Sequence, residues 1–294
     1  MATGSRGAAP RWLGLAPAVF LLLWSGGFAF LKMGLAHAEP LTFLALRYAV
    51  VLAALLPLAA VLRPAWPSGA AAWRHLAVIG VLIQGLYFAL SYLALDLGLT
   101  AGGLAILVSL QPIVVAVLAP RLAGERVGGR RWAGLVLGLS GAVLVIGARS
   151  AVASTSALGV LSAVGALSAM TAGTLYEKRF GTTHHPVTAN LVQCAVGLAV
   201  VLPAALALEE PRVDWTADLL VSLAYLVVGN SLVSITLLLA MIRHGEVSRV
   251  SALFFLVPPT AALIAYVVLG ETLPAAAWLG MALAAGGVAL ANRP

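Results

Sequence analysis

The chain has 294 residues, of which 62% are hydrophobic and 9% charged, and its formal net charge at pH 7 is +7. A soluble domain carries roughly 25% charged residues, so this chain has too little polar surface to cover a soluble globule. The composition argues against a soluble enzyme or a secreted disulfide scaffold and excludes a disordered chain. The basic residues stand singly or in small groups between apolar runs, which is typical of topology signals and not of a nucleic-acid surface.

Apolar stretches of spanning length occur ten times, because a membrane helix takes about 20 residues. They run over 12–33, 41–62, 75–95, 99–119, 132–148, 158–177, 187–208, 219–241, 248–269 and 274–292. The sequence therefore predicts an all-α polytopic membrane protein with ten transmembrane helices. Only short loops connect them, which leaves no room for a large domain outside the membrane.

The distribution of Lys and Arg predicts the orientation, because these residues concentrate in cytoplasmic loops. With the N-terminus inside, thirteen of them fall on the cytoplasmic side, and only Lys32, Arg149 and Arg212 fall outside. We therefore expect both termini, including a tail over 1–11, to be cytoplasmic.

An internal duplication appears when the sequence is shifted by 146 residues. The coinciding pairs include Lys32 with Lys178, Pro40 with Pro186, Pro112 with Pro258, Trp132 with Trp278 and Gly141 with Gly287. The sequence predicts one repeat over 12–148, a linker over 149–157 and a second repeat over 158–292. Because each repeat holds five spans, an odd number, the second is predicted to be inverted relative to the first, a plan that transporters use for alternating access.

Polar residues in mid-span are candidates for a substrate cavity, since a polar group facing lipid is costly. Gln84, Tyr87 and Ser91 stand at i, i+3 and i+7, which is one helix face, and Asn230 and Ser234 at i and i+4 likewise share a face. Gln84 and Asn230 occupy equivalent positions in the two repeats. Their carboxamides suit a polar metabolite because each can donate and accept hydrogen bonds. The alternative is that both amides hold neighbouring helices together.

Aromatic residues and one arginine complete the candidate substrate site. Trp24, Tyr87 and Phe254 could form an aromatic wall, although ordinary helix packing is the simpler interpretation for each. Arg47 lies six positions, or about 9 Å, inside its span. It could attract a carboxylate, but the sequence favours a side chain that reaches outward to the interface or pairs with Glu39.

Other residues have a predicted mechanical or structural role. Four are candidate bending points, because glycine and proline weaken a helix: Gly26, Gly27, Pro112 and Pro258. Glu125 and Glu271 each follow a glycine just before a span, where a carboxylate can accept from free amides at a helix start. We interpret both as structural, with a role in gating as the alternative.

The sequence gives no sign of a cofactor or a metal site. Cys194 is the single cysteine, and His184-His185 is interpreted as a polar loop. No acidic residue lies at the centre of a span, so a carboxylate proton relay has no evident carrier. Nucleotide-binding and metalloprotease motifs are also absent from the sequence.

Several motifs together resemble one family, the EamA type of the drug/metabolite transporter superfamily. The resemblance rests on the segment from Trp24 to Lys32, Pro40, Arg47-Tyr48, Ala94-Leu95, Ala101-Gly102, Pro112, Gly124-Glu125, a glycine-rich helix through Gly141, and the second copies Pro258, Gly270-Glu271, Gly280 and Gly287. It implies a ten-helix carrier in the cytoplasmic (inner) membrane that mostly exports small metabolites, amino acids or drugs.

We therefore expect a secondary transporter that exports a small organic metabolite by alternating access. Its expected partners are that substrate and the lipid bilayer, with a second copy of the chain as a further candidate and no nucleic acid. Two alternatives stay open. A non-transporting scaffold or receptor could descend from a carrier, and an intramembrane enzyme would need catalytic groups that converge at one depth.

Overall fold

The computed structural model describes residues 14–99, 104, 107–122, 127–149, 156–181, 184–244, 247–269 and 274–292. Helical stretches in these residues lie at all ten predicted spans. Seven are single helices: α1 Ala16–Leu35, α2 Pro40–Leu62, α4 Gln111–Leu122, α5 Gly129–Arg149, α6 Ala157–Phe180, α7 Pro186–Leu208 and α10 Ala275–Asn292. The prediction of an all-α polytopic membrane protein is confirmed, and the only β pairing in the described residues is one isolated bridge between Ala38 and Val213.

The remaining three helices are composite. α3 comprises Ala70–Ile79, the π-helical segment Gly80–Tyr87 and Phe88–Asp96. α8 comprises Ala217–Tyr225, the π-helical segment Leu226–Ser234 and Ile235–His244. α9 comprises Val247–Ala252, the 3₁₀ segment Leu253–Leu256 and Val257–Leu269.

Among the described residues, six helices are long and apolar enough to cross a membrane, namely α1, α2, α3, α6, α7 and α8. The apolar stretches of α4, α9 and α10 are shorter, at 10–17 residues. Large apolar side chains such as Leu56, Val61 and Leu161 are exposed on the outside of the bundle, as expected where the solvent is lipid. The number of ten crossings stays a prediction.

The two halves of the bundle are inverted relative to each other. α2 and α7 have bounds 146 residues apart, yet they run in opposite directions. Glu209, directly after the end of α7, accepts hydrogen bonds from the backbone amides of Leu41 and Thr42 at the start of α2, both at 2.7 Å. Equivalent helices that lie antiparallel are what an odd number of spans per repeat predicts.

A second pair of equivalent helices, α5 and α10, gives the same result. Gly134 near the start of α5 packs on Ala291 near the end of α10, and Gly141 packs on Ala284. A Cβ atom at either glycine would overlap backbone atoms of the partner helix, so only glycine permits this approach. The glycine pattern therefore builds a tight seam between the halves.

The two prolines predicted as bending points each follow a local interruption of the α-helical geometry. Pro112 is the second residue of α4, after a turn at Leu110, and Pro258 is the second residue of the last segment of α9, after its 3₁₀ segment. Proline has no N–H, so it fits the first turn of each following α-helical segment without losing a hydrogen bond. Bending at these interruptions stays a prediction.

Some predicted features lie outside the described residues. They are the 1–11 tail, most of the 149–157 linker, and both Glu125 and Glu271.

Candidate functional site

A cavity lies inside the bundle between the two halves. The empty volume of this cavity is about 360 Å³, which includes the part that opens to solvent. The residues that line it come from α1, α2, α3, α8 and residue 104: Trp24, Gly27, Phe28, Leu31, Arg47, Tyr87, Phe88, Ser91, Tyr92, Leu104, Leu226 and Asn230. Five predicted site residues are among them, namely Trp24, Arg47, Tyr87, Ser91 and Asn230. Gln84, Ser234 and Phe254 are not.

Arg47 is buried in the wall of this cavity, with 1% of its surface exposed. Its Nε donates to Ser231 Oγ at 2.8 Å and its Nη1 donates to Tyr92 Oη at 3.0 Å. The expectation that Arg47 reaches outward or pairs with Glu39 was wrong. Hydrogen-bond partners on α3 and α8 hold the guanidinium inside the bundle, so it does not need to reach the interface.

The guanidinium also lies over an aromatic ring. Its central carbon is 4.6 Å from the centroid of the Phe88 ring, a cation–π contact that lowers the cost of burying the charge. Nη2 has no hydrogen-bond partner. No carboxylate of the described residues pairs with Arg47, so its positive charge is uncompensated by acid within that part of the chain.

Aromatic rings form the wall predicted around Trp24. The Tyr87 ring lies 6.3 Å from the Trp24 ring and nearly parallel to it, at 14°. Phe254 meets Trp24 edge to face at 5.6 Å, and Phe20 packs behind them at 5.2 Å from Trp24. Phe254 therefore supports the wall from behind and does not face the cavity.

The two equivalent carboxamides lie in equivalent π-helical segments but face different neighbours. Asn230 lines the cavity and packs on Gly27 of α1, where a Cβ atom would overlap its amide. Gln84 packs on Gly197 of α7, and Tyr48 Oη donates to the backbone carbonyl of Gln84 at 2.6 Å. Asn230 Oδ1 and both side-chain amide atoms of Gln84, Oε1 and Nε2, are buried without a partner.

The π-helical segment explains why the predicted face of α3 divides. The i, i+3, i+7 spacing of Gln84, Tyr87 and Ser91 assumes 3.6 residues per turn, but π geometry, with i to i+5 hydrogen bonds, extends from Gly80 to Tyr87. Tyr87 and Ser91 line the cavity and Gln84 does not. Ser91 donates to the Tyr87 carbonyl at 2.7 Å.

Gly26 and Gly27 lie inside the unbroken helix α1. A Cβ atom at Gly26 would overlap the Tyr225 hydroxyl, as one at Gly27 would overlap the Asn230 amide. Both glycines therefore permit the close approach of α8 to α1. A bending role for them stays a prediction.

Several cavity residues were missed by the sequence analysis. Phe28 lies four residues after Trp24, so helical periodicity could have found it. Tyr92 and Phe88 flank the predicted positions Ser91 and Tyr87 and carry no periodic signal. Ser231, which holds Arg47, was hidden because it is one small hydroxyl in an apolar run; its own carbonyl accepts from Asn190 Nδ2 at 2.6 Å.

The described residues contain no cluster of three or more His, Cys, Asp or Glu side chains that could hold a metal ion. Cys194 is buried and donates to Asn190 Oδ1 at 3.2 Å. The cavity instead offers a cation, an amide, two tyrosines and an apolar wall, which is chemistry for binding a small organic molecule.

An inverted helical bundle with a lined internal cavity is a recurrent plan of membrane transport proteins. The chain belongs to the EamA-like transporter family, which matches it twice, over residues 12–147 and 157–293. This family and the names of the relatives identify a multi-pass membrane transporter and not an enzyme.

The chain is similar to three named relatives. An uncharacterized transporter of Bacillus subtilis (strain 168), YvbV, is 26% identical over 94% of this chain and 90% of that protein. An uncharacterized transporter of Archaeoglobus fulgidus is 27% identical over 86% of this chain and 88% of its own length. A WAT1-related chloroplastic protein of Arabidopsis thaliana is 26% identical over 78% of this chain and 57% of that protein.

The chain is also similar in fold to a solved crystal structure. It superposes with a TM-score of 0.78 at 22% identity and covers 97% of this chain and 98% of that one.

Proposed function

We propose that this transporter exports a small organic metabolite by alternating access as a secondary carrier, without a cofactor. The observation that carries the proposal is the position of the cavity between two inverted halves, because Leu226 and Asn230 come from the second half and all the other lining residues from the first. Two inverted halves can exchange conformations, which gives inward-open and outward-open states of similar energy.

The repeat boundaries support the same mechanism. We propose five-helix repeats at 12–148 and 158–292 joined by a linker at 149–157. The two family matches, at 12–147 and 157–293, support this division.

The formation of a homodimer stays a prediction. The mass of the purified protein in detergent tests it.

Access from both sides can be measured at Ser91, which lines the cavity and is 5% exposed. In a Cys194→Ser background, Ser91→Cys should react with a membrane-impermeant maleimide in right-side-out and in inside-out vesicles. A matched Ser140→Cys, at an exposed position midway along α5, should react in neither because it faces lipid. Labelling of Ser91→Cys from one side alone would favour a scaffold or receptor over a carrier.

We further propose that the protein lies in the cytoplasmic (inner) membrane with both termini inside. The thirteen-to-three distribution of Lys and Arg supports this orientation. A reporter fused after Pro294 should then report cytoplasm, and one inserted near Asp214 should report the outer side. The reverse pattern would overturn the orientation.

A further inference from the structure

Arg47 is a buried cation with part of its binding capacity unused. A guanidinium has five N–H donors, and Nε and Nη1 each make one hydrogen bond in the bundle, to Ser231 and Tyr92. Nη2 makes none. Arg47 lines the cavity, and both hydrogens of its Nη2 and one hydrogen of its Nη1 therefore make no hydrogen bond.

Buried charges in membrane proteins pair with an opposite charge, because an unpaired ion in a low-dielectric medium is costly. The groups that contact the Arg47 guanidinium are a serine hydroxyl, a tyrosine hydroxyl and the Phe88 ring, none of which carries a full negative charge. The site thus has a net charge of +1 that the described residues leave unmatched.

We infer that the cavity binds an organic monoanion whose carboxylate pairs with Arg47 and whose apolar part lies against the aromatic wall. This inference rests on the proposed function and names its substrate class. The free hydrogens of Nη1 and Nη2 can donate to the two oxygens of a carboxylate, which gives a planar bidentate pair. One negative charge balances one guanidinium, whereas a dianion would leave a charge unmatched.

The rest of the wall determines the other end of the substrate. Trp24, Tyr87, Phe88 and Leu104 are buried and mostly apolar, so they favour a ring or a branched chain over a sugar or a polyol. Asn230 Oδ1 is an unpaired acceptor at the same cavity and can receive one N–H or O–H of the substrate. The charge of Arg47 also disfavours organic cations, because like charges repel strongly at low dielectric.

Three probes with the same phenyl ring test this charge requirement: phenylacetate, phenylacetamide and phenethylammonium. Their binding to the purified full-length protein is measured by isothermal titration calorimetry at pH 7.5. We expect phenylacetate to bind at least about tenfold more tightly than the other two, the size of one charge-assisted hydrogen bond. If phenylacetate binds no better than phenylacetamide, the inference is wrong.

Variants assign the preference to Arg47. Arg47→Gln should reduce the phenylacetate-to-phenylacetamide affinity ratio to near one, a change in selectivity that a purely structural role would not produce. Arg47→Lys keeps the charge but loses the fork, so it should retain part of the preference even if Arg47→Gln fails to fold. Arg212→Gln, a matched control in an exposed loop, should leave the ratio unchanged. An unchanged ratio in both Arg47 variants would overturn the inference.

Counterflow in proteoliposomes separates this inference from the proposed function. Binding of phenylacetate through Arg47 without counterflow of any probe would contradict the carrier mechanism and leave the anion site intact. Counterflow of phenethylammonium in preference to phenylacetate would support a carrier and overturn the anion site.

Discussion

The seam between α5 and α10 and the central cavity both lie where the two halves meet, but only the seam is symmetric. Gly134 packs on Gly287 and Gly141 packs on Gly280. A shift of 146 residues converts the first pair into the second. The seam is thus one contact made twice, as expected when both halves need the same close backbone approach.

The cavity breaks this symmetry in its side chains. Trp24, Phe28 and Arg47 have as their equivalents Met170, Thr174 and Gln193. The aromatic wall and the cation are therefore present in one copy only. The comparison teaches that the inverted repeat supplies the scaffold, while binding chemistry depends on residues in which the copies differ, because an asymmetric small molecule needs different groups at its two ends.

The largest expected effect is on the seam. Gly141→Ala places a Cβ atom against backbone atoms of Gly280 and Ala284, which cannot move away without separating the helices. We expect the free energy of unfolding to fall by about 1–3 kcal/mol, which is typical of overpacking. Chemical unfolding in detergent measures this change. Gly147→Ala is the matched control, since no heavy atom lies within 4 Å of a Cβ there. Equal stability of the two variants would contradict the seam.

The two carboxamides give the next largest effect. Asn230→Leu removes a polar group from the cavity, so transport should fall at least about tenfold while membrane abundance stays near normal. Gln84→Leu removes two unpaired polar atoms from a side chain whose Cβ packs on α7 and should leave transport within about twofold, because burying an unsatisfied amide is itself unfavourable. Initial rates in proteoliposomes measure both. Equal losses in the two variants would indicate that the amides act symmetrically.

The smallest expected effect concerns the start of α2. Glu209 accepts from the amides of Leu41 and Thr42 and from Thr42 Oγ1. The residue equivalent to Glu209 in the first repeat is Arg63, whose side chain has no hydrogen-bond acceptor. Glu209→Ala should lower the free energy of unfolding by about 1 kcal/mol, as the loss of a helix cap does. It should also speed hydrogen exchange at the backbone amide of Leu41, which loses its acceptor.

The matched control for this cap is Glu210→Ala. Glu210 is exposed and pairs with exposed Arg212 in the same loop, so its replacement should change stability little. A loss as large as that of Glu209→Ala would show that the cap at α2 is not specific.

Much of the fold could be predicted from the sequence because a bilayer imposes simple rules. Apolar runs of spanning length predicted all ten helical stretches, and the 146-residue repeat predicted the inversion seen in α2 and α7. The π-helical segments could not be predicted, since no residue type marks a change from α to π hydrogen bonding. The predicted face of α3 consequently included Gln84, which packs on α7 instead.

The candidate site was predicted in part for a related reason. Trp24, Tyr87 and Asn230 were found because polar and aromatic residues stand out in an apolar run. The environment of Arg47 could not be predicted, because its partners Ser231 and Tyr92 lie 184 and 45 residues away along the sequence.

The sequence by itself determined a multi-pass helical membrane protein with two related halves, because hydrophobic length and a repeat are read directly from the order of residues, and its motifs resembled those of a transporter family. Only the tertiary structure decided which polar groups share one cavity and that the Arg47 charge has no acidic partner among the described residues. Pairing and burial depend on the distances between helices far apart in sequence, and no local pattern encodes those distances.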